Sequence, residues 1–307
     1  MARQDSQSIA RSGAVPSAAP AADKILEPSP ASQMRRRIFG HYGIMIGGTV
    51  LAAIFLIAIF APLLAPYDPL EQHIINRLQP PSADFWLGTD TYGRDVLSRL
   101  IYGARVSLVV GFVAILIAMV IGSAIGILSG FIGGIFDRVV MSFLDVMLSF
   151  PTLLLGLMIA AMLGASFENL VIAIAITEIA PFARVARAPT IALKQRDFIE
   201  AGRAMGFSTP RLMGLHIFPN MVSEVVVMGS MWMASAIRTE AALSFIGLGV
   251  PPPTPTWGSM IREGFENILD SWWLAVFPSL AILMTVLALN ILGDALRDAI
   301  DPKTRAE

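Results

Sequence analysis

Long apolar runs dominate this chain. Six of them reach the roughly 20 residues that a helix needs to cross the hydrocarbon core of a bilayer, and each is flanked by charge, proline or glycine. The pattern predicts an all-α polytopic membrane protein with six transmembrane helices. These helices are predicted at residues 42–64, 106–131, 139–163, 170–188, 221–248 and 273–293.

Composition agrees with a membrane protein and removes several kinds of chemistry. Hydrophobic residues make up 55% of the chain and charged residues only 15%, too little polar surface for a soluble body. There is no cysteine, which excludes disulfides, thiolate metal sites and cysteine nucleophiles. His41, His73 and His216 lie far apart in the sequence, so no metal site is predicted. A net charge of −1 gives no general basic field for nucleic acid.

The distribution of Lys and Arg predicts the orientation. If the amino terminus is inside, the inner segments carry thirteen Lys and Arg and the outer segments five, and cytoplasmic loops carry the excess. Both termini are therefore expected in the cytoplasm. The predicted organisation is a disordered cytoplasmic tail at 1–33, a first transmembrane helix within 34–65, a periplasmic lead-in at 66–105, and a core at 106–303 with a cytoplasmic loop at 189–220.

Residues 197–220 alternate charged and apolar positions at helical spacing and are too polar for another span. Asp197 is expected to cap a short helix that Gly206 ends. Ser208 or Thr209 would begin a second short helix, and Pro219 would stop it before the fifth span. The segment is predicted to be a rigid knob that docks a partner.

The same segment resembles a known pattern. The cytoplasmic loop of permease subunits in bacterial ABC importers carries Glu-Ala-Ala, three residues, Gly, nine residues, then Ile-x-Leu-Pro. Glu200, Ala201, Gly206 and Pro219 match in register. At the other positions Gly202 replaces the second Ala, His216 the Ile and Phe218 the Leu.

Further segments are similar to one subgroup, the C-type permeases of dipeptide, oligopeptide and nickel importers. The similarity runs in order from about residue 36 to residue 303. The segments that carry it are 86–105, 145–151, 243–249, 252–259, 292–298 and 301–303.

The resemblance implies a five-helix ABC-importer permease core plus one N-terminal helix, in the bacterial inner membrane. It also implies a second, B-type permease, two cytoplasmic ATPase subunits and an external solute-binding protein. The chain contains no phosphate-binding Gly-x-x-x-x-Gly-Lys-Ser/Thr run, so ATP and Mg²⁺ are expected on the partner ATPases. No catalytic residue, metal or cofactor is expected on this chain. The expected ATPase-coupling residues are Glu200, Ala201, Gly202, Gly206, His216 and Pro219.

Short peptides are the leading substrate by this resemblance, and nickel chelates, glutathione, opines and oligosaccharides are the alternatives. The polar residues of the spans are weighed between lining the substrate pathway and a structural role. Those candidates are Glu178, Asp145, Arg238 and Glu240. Asp90, Arg94 and Asp95 of the lead-in would contact the solute-binding protein or fix the start of the second span.

Two other functions compete with this interpretation. A secondary transporter should show inverted repeats of broken helices and a midplane ion site, and no such repeat is seen. A membrane-embedded hydrolase needs a buried nucleophile–base pair or metal ligands. No histidine lies in the middle of a predicted span, which disfavours the hydrolase.

Overall fold

The computed structural model describes residues 42–300, without the side chain of Ile300. The predicted tail at 1–33, the residues that join it to the first helix and the last residues of the predicted core lie outside this range. The described part is helical and has one isolated β-bridge, between Thr89 and Asp95. The helices are α1 (Tyr42–Ile59), α2 (Ala61–Leu64), α3 (Val96–Ile132), α4 (Gly134–Ser149), α5 (Thr152–Leu163), α6 (Phe167–Leu193), α7 (Asp197–Ala204), α8 (Thr209–Leu212), α9 (Phe218–Ile246), α10 (Trp257–Glu266) and α11 (Trp273–Ile300), with a 3₁₀ turn at Ile74–Asn76 and a π-helix at Met213–Ile217.

The architecture is that of an all-α polytopic membrane protein, as predicted. Five continuous helical segments of the described chain are long and apolar enough to cross a membrane, namely α1, α3, α6, the Thr209–Ile246 segment that ends in α9, and α11. Large apolar side chains such as Leu116 and Val120 of α3 and Leu283 and Leu287 of α11 are exposed. A wide apolar surface of this kind suits contact with lipid.

Close packing of α3 on α6 forms the centre of the bundle. Gly122, Gly126 and Gly130 follow one another every four residues on α3, and they face backbone carbonyls of α6. A Cβ added to Gly126 would lie 2.2 Å from the carbonyl oxygen of Ala183, a distance that no side chain can occupy. The glycines therefore allow the two backbones to meet, as small residues do in membrane helix pairs.

The predicted span at 139–163 is wrong as a single helix. The structure divides it into α4 and α5, whose axes differ by 93°. Phe150 is extended, with φ −83° and ψ 138°, as expected for a residue that precedes a proline. A sixth crossing exists only if the bent pair is counted as one span.

Three other helices are clearly longer than the hydrophobic pattern predicted, and one of them is α11, which continues to Ile300 rather than to 293. α3 begins at Val96 rather than at 106, because the Asp95 carboxylate accepts a hydrogen bond of 2.8 Å from the Ser98 N–H and caps the helix. α6 continues to Leu193 with Pro181 and Pro189 inside it. The segment at 66–105 therefore includes the first turns of α3, and the loop at 189–220 includes the last turn of α6.

Candidate functional site

A short helix and the turn that supports it lie at 197–217. α7 follows the extended residue Arg196, and Asp197 is its first residue rather than its cap. Gly206 ends this region with φ +81°, a conformation that glycine adopts without strain. Ile199 of α7 is buried together with Leu212 and Ile217 in the main hydrophobic core, so the segment is held to the bundle by apolar packing.

At Gly202, α7 packs closely against the residues that follow it. A Cβ at this position would lie 2.9 Å from Cδ2 of Leu212 and 3.2 Å from Cδ2 of Phe207. This crowding explains why glycine stands where the permease pattern has alanine. The space of the missing methyl group is filled by Phe207 and Leu212.

The exposed side of α7 carries an apolar stripe between the charged residues Asp197, Glu200 and Arg203. Phe198, Ala201 and Met205 recur at helical spacing and are exposed, Met205 to 66%. Glu200 is exposed beside them. An amphipathic helix with its second face uncovered is suited to fit a groove of another protein. We call this set (Phe198, Glu200, Ala201 and Met205) the α7 surface.

The helix after α7 does not stop at Pro219. The π-helix Met213–Ile217 leads directly into α9, where Pro219 occupies one of the first two positions. A proline at the start of a helix loses no hydrogen bond, so Pro219 is compatible with the start of α9. His216 stacks on Phe207 with ring centroids 5.8 Å apart, and the Arg211 guanidinium lies 4.1 Å from the centroid of Phe207.

Glu178 and Arg238 are brought together at the contact of α6 with α9. The carboxylate of Glu178 is buried and forms a hydrogen bond with the Ser235 side chain. It also interacts electrostatically with Arg238. Arg238 itself is exposed. Insertion scales put the cost of a charge at the centre of a membrane helix at about 2.5–3.5 kcal/mol, so such groups face protein or water.

Glu240 and Arg238 lie on different sides of α9, as their spacing of two residues predicted. Glu240 is fully buried and accepts a hydrogen bond of 2.8 Å from the Ser244 hydroxyl. This position favours a structural role.

Two ion pairs join α4 to α6. Arg184 pairs with Asp145, and both side chains are about half exposed. Arg187 donates from Nε to Oδ1 of Asp137 over 2.6 Å, and this carboxylate also accepts from the Ser129 hydroxyl. Asp145 thus caps no helix end, and its pairing with Arg184 is a contact that the sequence did not predict.

Asp90 and Arg94 belong to a buried charge cluster at the other end of the bundle, and Asp95 caps α3 through Ser98. Nε of Arg94 lies 2.6 Å from Oδ2 of Asp90, and Nε of Arg99 lies 3.2 Å from the same oxygen. Glu263 of α10 lies 3.6 Å from Arg94 and 3.4 Å from Arg99. Because the side chains of Asp90, Arg94 and Asp95 are buried, the structure favours the second alternative, in which they fix the start of α3.

Comparison with known proteins agrees with this arrangement. Residues 122–306, which contain α6, α7, α9 and the α7 surface, match the family described as binding-protein-dependent transport system inner membrane component. Residues 29–81 match the N-terminal TM domain of oligopeptide transport permease C. This chain belongs to the binding-protein-dependent permease family.

Several curated permeases are similar over nearly their whole length. The dipeptide transport system permease protein DppC of Alkalihalophilus pseudofirmus is 38% identical over 291 residues, 95% of this chain and 96% of that protein. The di/tripeptide transport system permease protein DppC of Pseudomonas aeruginosa is 42% identical, over 94% of this chain and 97% of that protein. The glutathione transport system permease protein GsiD of Salmonella typhimurium is 46% identical, over 86% of this chain and 88% of that protein.

Family membership gives the general role. This permease is a multi-pass component of the inner membrane in an ABC importer, and such a component works with a second permease, ATPase subunits and a solute-binding protein. The pattern of Glu200, Ala201, Gly206 and Pro219 lies inside the matched region. The resemblance to the C-type permeases of peptide importers is thus confirmed.

Some residues of this permease were not singled out by sequence reasoning. Arg184 and Arg187 were counted only as loop charges, although they lie on α6 and pair with α4. Glu263 lies between the last two predicted spans and is only 17% exposed. Its partners stand more than 160 positions earlier in the chain, so no local pattern marks it.

Proposed function

We propose that this permease imports short peptides, with the tripeptide glutathione as the second candidate substrate. Similar proteins that share 38–46% of their residues with it carry the names of dipeptide, di/tripeptide and glutathione transporters. Nickel chelates, opines and oligosaccharides are alternatives that rest on the wider subgroup alone.

The observation that carries the mechanism is the α7 surface. Ile199 and Gly202 face the bundle, while Phe198, Ala201 and Met205 are exposed. We infer that an ATPase subunit receives this apolar face in a groove and that Glu200 fixes the register. Closure of the ATPase pair would move the α7 segment as a rigid body and change access to the pathway.

The remaining assignments follow from this role. Lys194, Arg203 and Arg211 lie near the α7 surface, which supports a cytoplasmic position for that end and for both termini. The second permease would be a B-type chain, and ATP with Mg²⁺ would bind to the ATPase subunits. This chain would hold no cofactor and catalyse no reaction. Asp90, Arg94 and Asp95 would support the receptor-facing surface from beneath.

Purification of the tagged permease from its native membrane tests this proposal. We expect a complex that contains a second permease and ATPase subunits, with ATPase activity that the solute-binding protein and peptide stimulate. Repeated recovery of the permease without any ATPase, under gentle extraction, would contradict the proposal.

A pair of matched substitutions tests the α7 surface itself. Ala201→Asp places a charge on that surface, whereas Ala192→Asp makes the same change at an exposed alanine in the last turn of α6. The first variant should lose the ATPase subunits, and the second should keep them. Equal retention by both variants would place the docking site elsewhere.

A further inference from the structure

An exposed guanidinium stands in the outer part of α9. Arg238 lies eight residues before Ile246, the end of the helix, which corresponds to about 12 Å along its axis. Its neighbours Ile237 and Thr239 are buried, whereas Arg238 is exposed. It forms no ion pair with any residue of the described range. A charge at this depth that faced lipid would be strongly disfavoured, so this side of α9 faces water or protein.

Glu178 is an acidic group that interacts with Arg238 from the buried side. This carboxylate is 3% exposed and is held by Ser235, one helical turn before Arg238 on α9. A guanidinium has five N–H donors, and one neighbouring carboxylate leaves several of them unused. The open side of Arg238 is therefore able to bind another anion.

The same face of α9 has small or flexible side chains. Met231, Ser235, Arg238 and Ala242 recur at spacings of four, three and four, and each is partly or fully exposed. Methionine adapts to different shapes, and serine and alanine leave space. A face of this kind can accommodate molecules that differ in size, while the single cation, Arg238, binds one chemical group that all of them share.

We propose that Arg238 binds the free carboxylate of the transported peptide inside the pathway, and that Glu178 is the positioning residue behind it. The inference rests on the proposed peptide function and names the group that the pathway recognises. Dipeptides, tripeptides and glutathione all carry a free carboxylate. Transport also requires release, and the opposing charge of Glu178 weakens the hold of Arg238 on an anion, as a site in a permeation pathway needs.

The natural absence of cysteine in this chain permits a direct test. Ala242→Cys puts one thiol a single turn from Arg238, and its labelling by a water-soluble thiosulfonate is measured in the complete permease–ATPase complex in lipid nanodiscs. No solute-binding protein is added, so the receptor's own selectivity does not contribute. The probes are alanyl-alanine and alanyl-alanine amide, which differ only in the terminal carboxylate.

Alanyl-alanine should slow the labelling about tenfold more effectively than the amide, since the amide cannot form the charge-assisted hydrogen bonds. Arg238→Gln in the same background should abolish the difference, and Arg238→Lys should retain part of it. Ile172→Cys, at an exposed apolar position of α6, should show no protection by either probe.

Three results would overturn the inference. Equal protection by the acid and the amide would remove the carboxylate from the contact, and persistence of the difference in Arg238→Gln would remove Arg238. A thiol at Ala242→Cys that never reacts would show that the second permease covers this face. Each of these results leaves the ATPase-containing complex intact, whereas failure of the proposed function would appear as loss of that complex.

Discussion

Arg99 in α3 and Glu263 in α10 lie 3.4 Å apart, although 164 positions separate them in the sequence. Asp90 binds the same arginine from the lead-in segment, so one buried cation joins three parts of the chain. Removal of one member from such a cluster leaves a buried charge without its partner. This relationship gives the first prediction.

Glu263→Gln should destabilise the permease by about 3 kcal/mol, because Arg94 and Arg99 lose a buried counter-ion. The measurement is the free energy of unfolding, or the thermal midpoint, of the purified protein. Glu266→Gln is the control, since the pair of Glu266 with Arg262 is exposed, with Glu266 at 60%. Exposed pairs contribute about 0–1 kcal/mol, so similar losses in both variants would contradict the prediction.

Gly126→Ala should weaken the packing of α3 on α6. The added methyl group meets the Ala183 carbonyl oxygen at 2.2 Å, and overpacking of this kind costs about 1–3 kcal/mol. Gly48→Ala in α1 meets no atom within 4 Å and should leave the thermal midpoint unchanged. The prediction fails if both variants have the same thermal midpoint as the unmodified protein.

Gly202→Ala should separate α7 from the turn beneath it, even though the substitution restores the alanine of the permease pattern. The new Cβ would press on Leu212 and Phe207. Peptide uptake per transporter should fall while the amount of permease in the membrane stays constant. Gly214→Ala, which meets no atom within 4 Å, is the matched control. Uptake at the unmodified level in Gly202→Ala would show that the turn yields without effect on coupling.

Asp137→Asn should be more damaging than Asp145→Asn. Asp137 accepts hydrogen bonds from both Arg187 and Ser129 and is only 16% exposed, and hydrogen bonds to charged groups contribute about 1.5–3 kcal/mol. Asp145 is more than half exposed with its partner Arg184, so its loss should cost no more than about 1 kcal/mol. Chemical denaturation of the two variants measures the difference, and a reversed order would contradict the assigned geometry.

Glu178→Gln should change the kinetics of uptake without loss of the complex. With the counter-charge removed, Arg238 holds an anion more strongly, so the apparent KM for a free-acid peptide should fall and the maximal rate should fall with it. Uptake by membrane vesicles at varied peptide concentration separates the two quantities. An unchanged KM and rate would assign Glu178 a purely structural role.

The sequence was sufficient for the number and place of the apolar segments, because the length of a membrane helix is set by the thickness of the bilayer. It was not sufficient for the bend between α4 and α5. Apolar run length carries no information on direction, and Phe150 and Pro151 lie inside a run that otherwise looks continuous. Proline was also misread at 219, where it lies at the start of α9 rather than at the end of a helix.

The candidate site also has a part that the sequence predicted and a part that it did not. Glu200, Ala201 and Gly206 are local in sequence, so their spacing alone marked the segment that we propose to dock the ATPase. The neighbourhood of Glu178 and Arg238 depends on how α6 packs against α9, and that of Arg99 and Glu263 on how α10 folds back over α3. Such contacts arise from tertiary packing and have no signature within a short stretch of chain.

The passage of α8 through the π-helix into α9 makes Thr209–Ile246 one continuous rod of 38 residues. Arg238 lies 23 positions beyond Leu215, which corresponds to about 35 Å of helix. Over this length, a tilt of the helical rod by about 5° about its α7 end displaces the Arg238 guanidinium by about 3 Å. This displacement is roughly the length of a hydrogen bond. A small rotation of this kind, if the ATPase subunits impose it as proposed, would be enough to make or break the proposed contact between Arg238 and a peptide carboxylate.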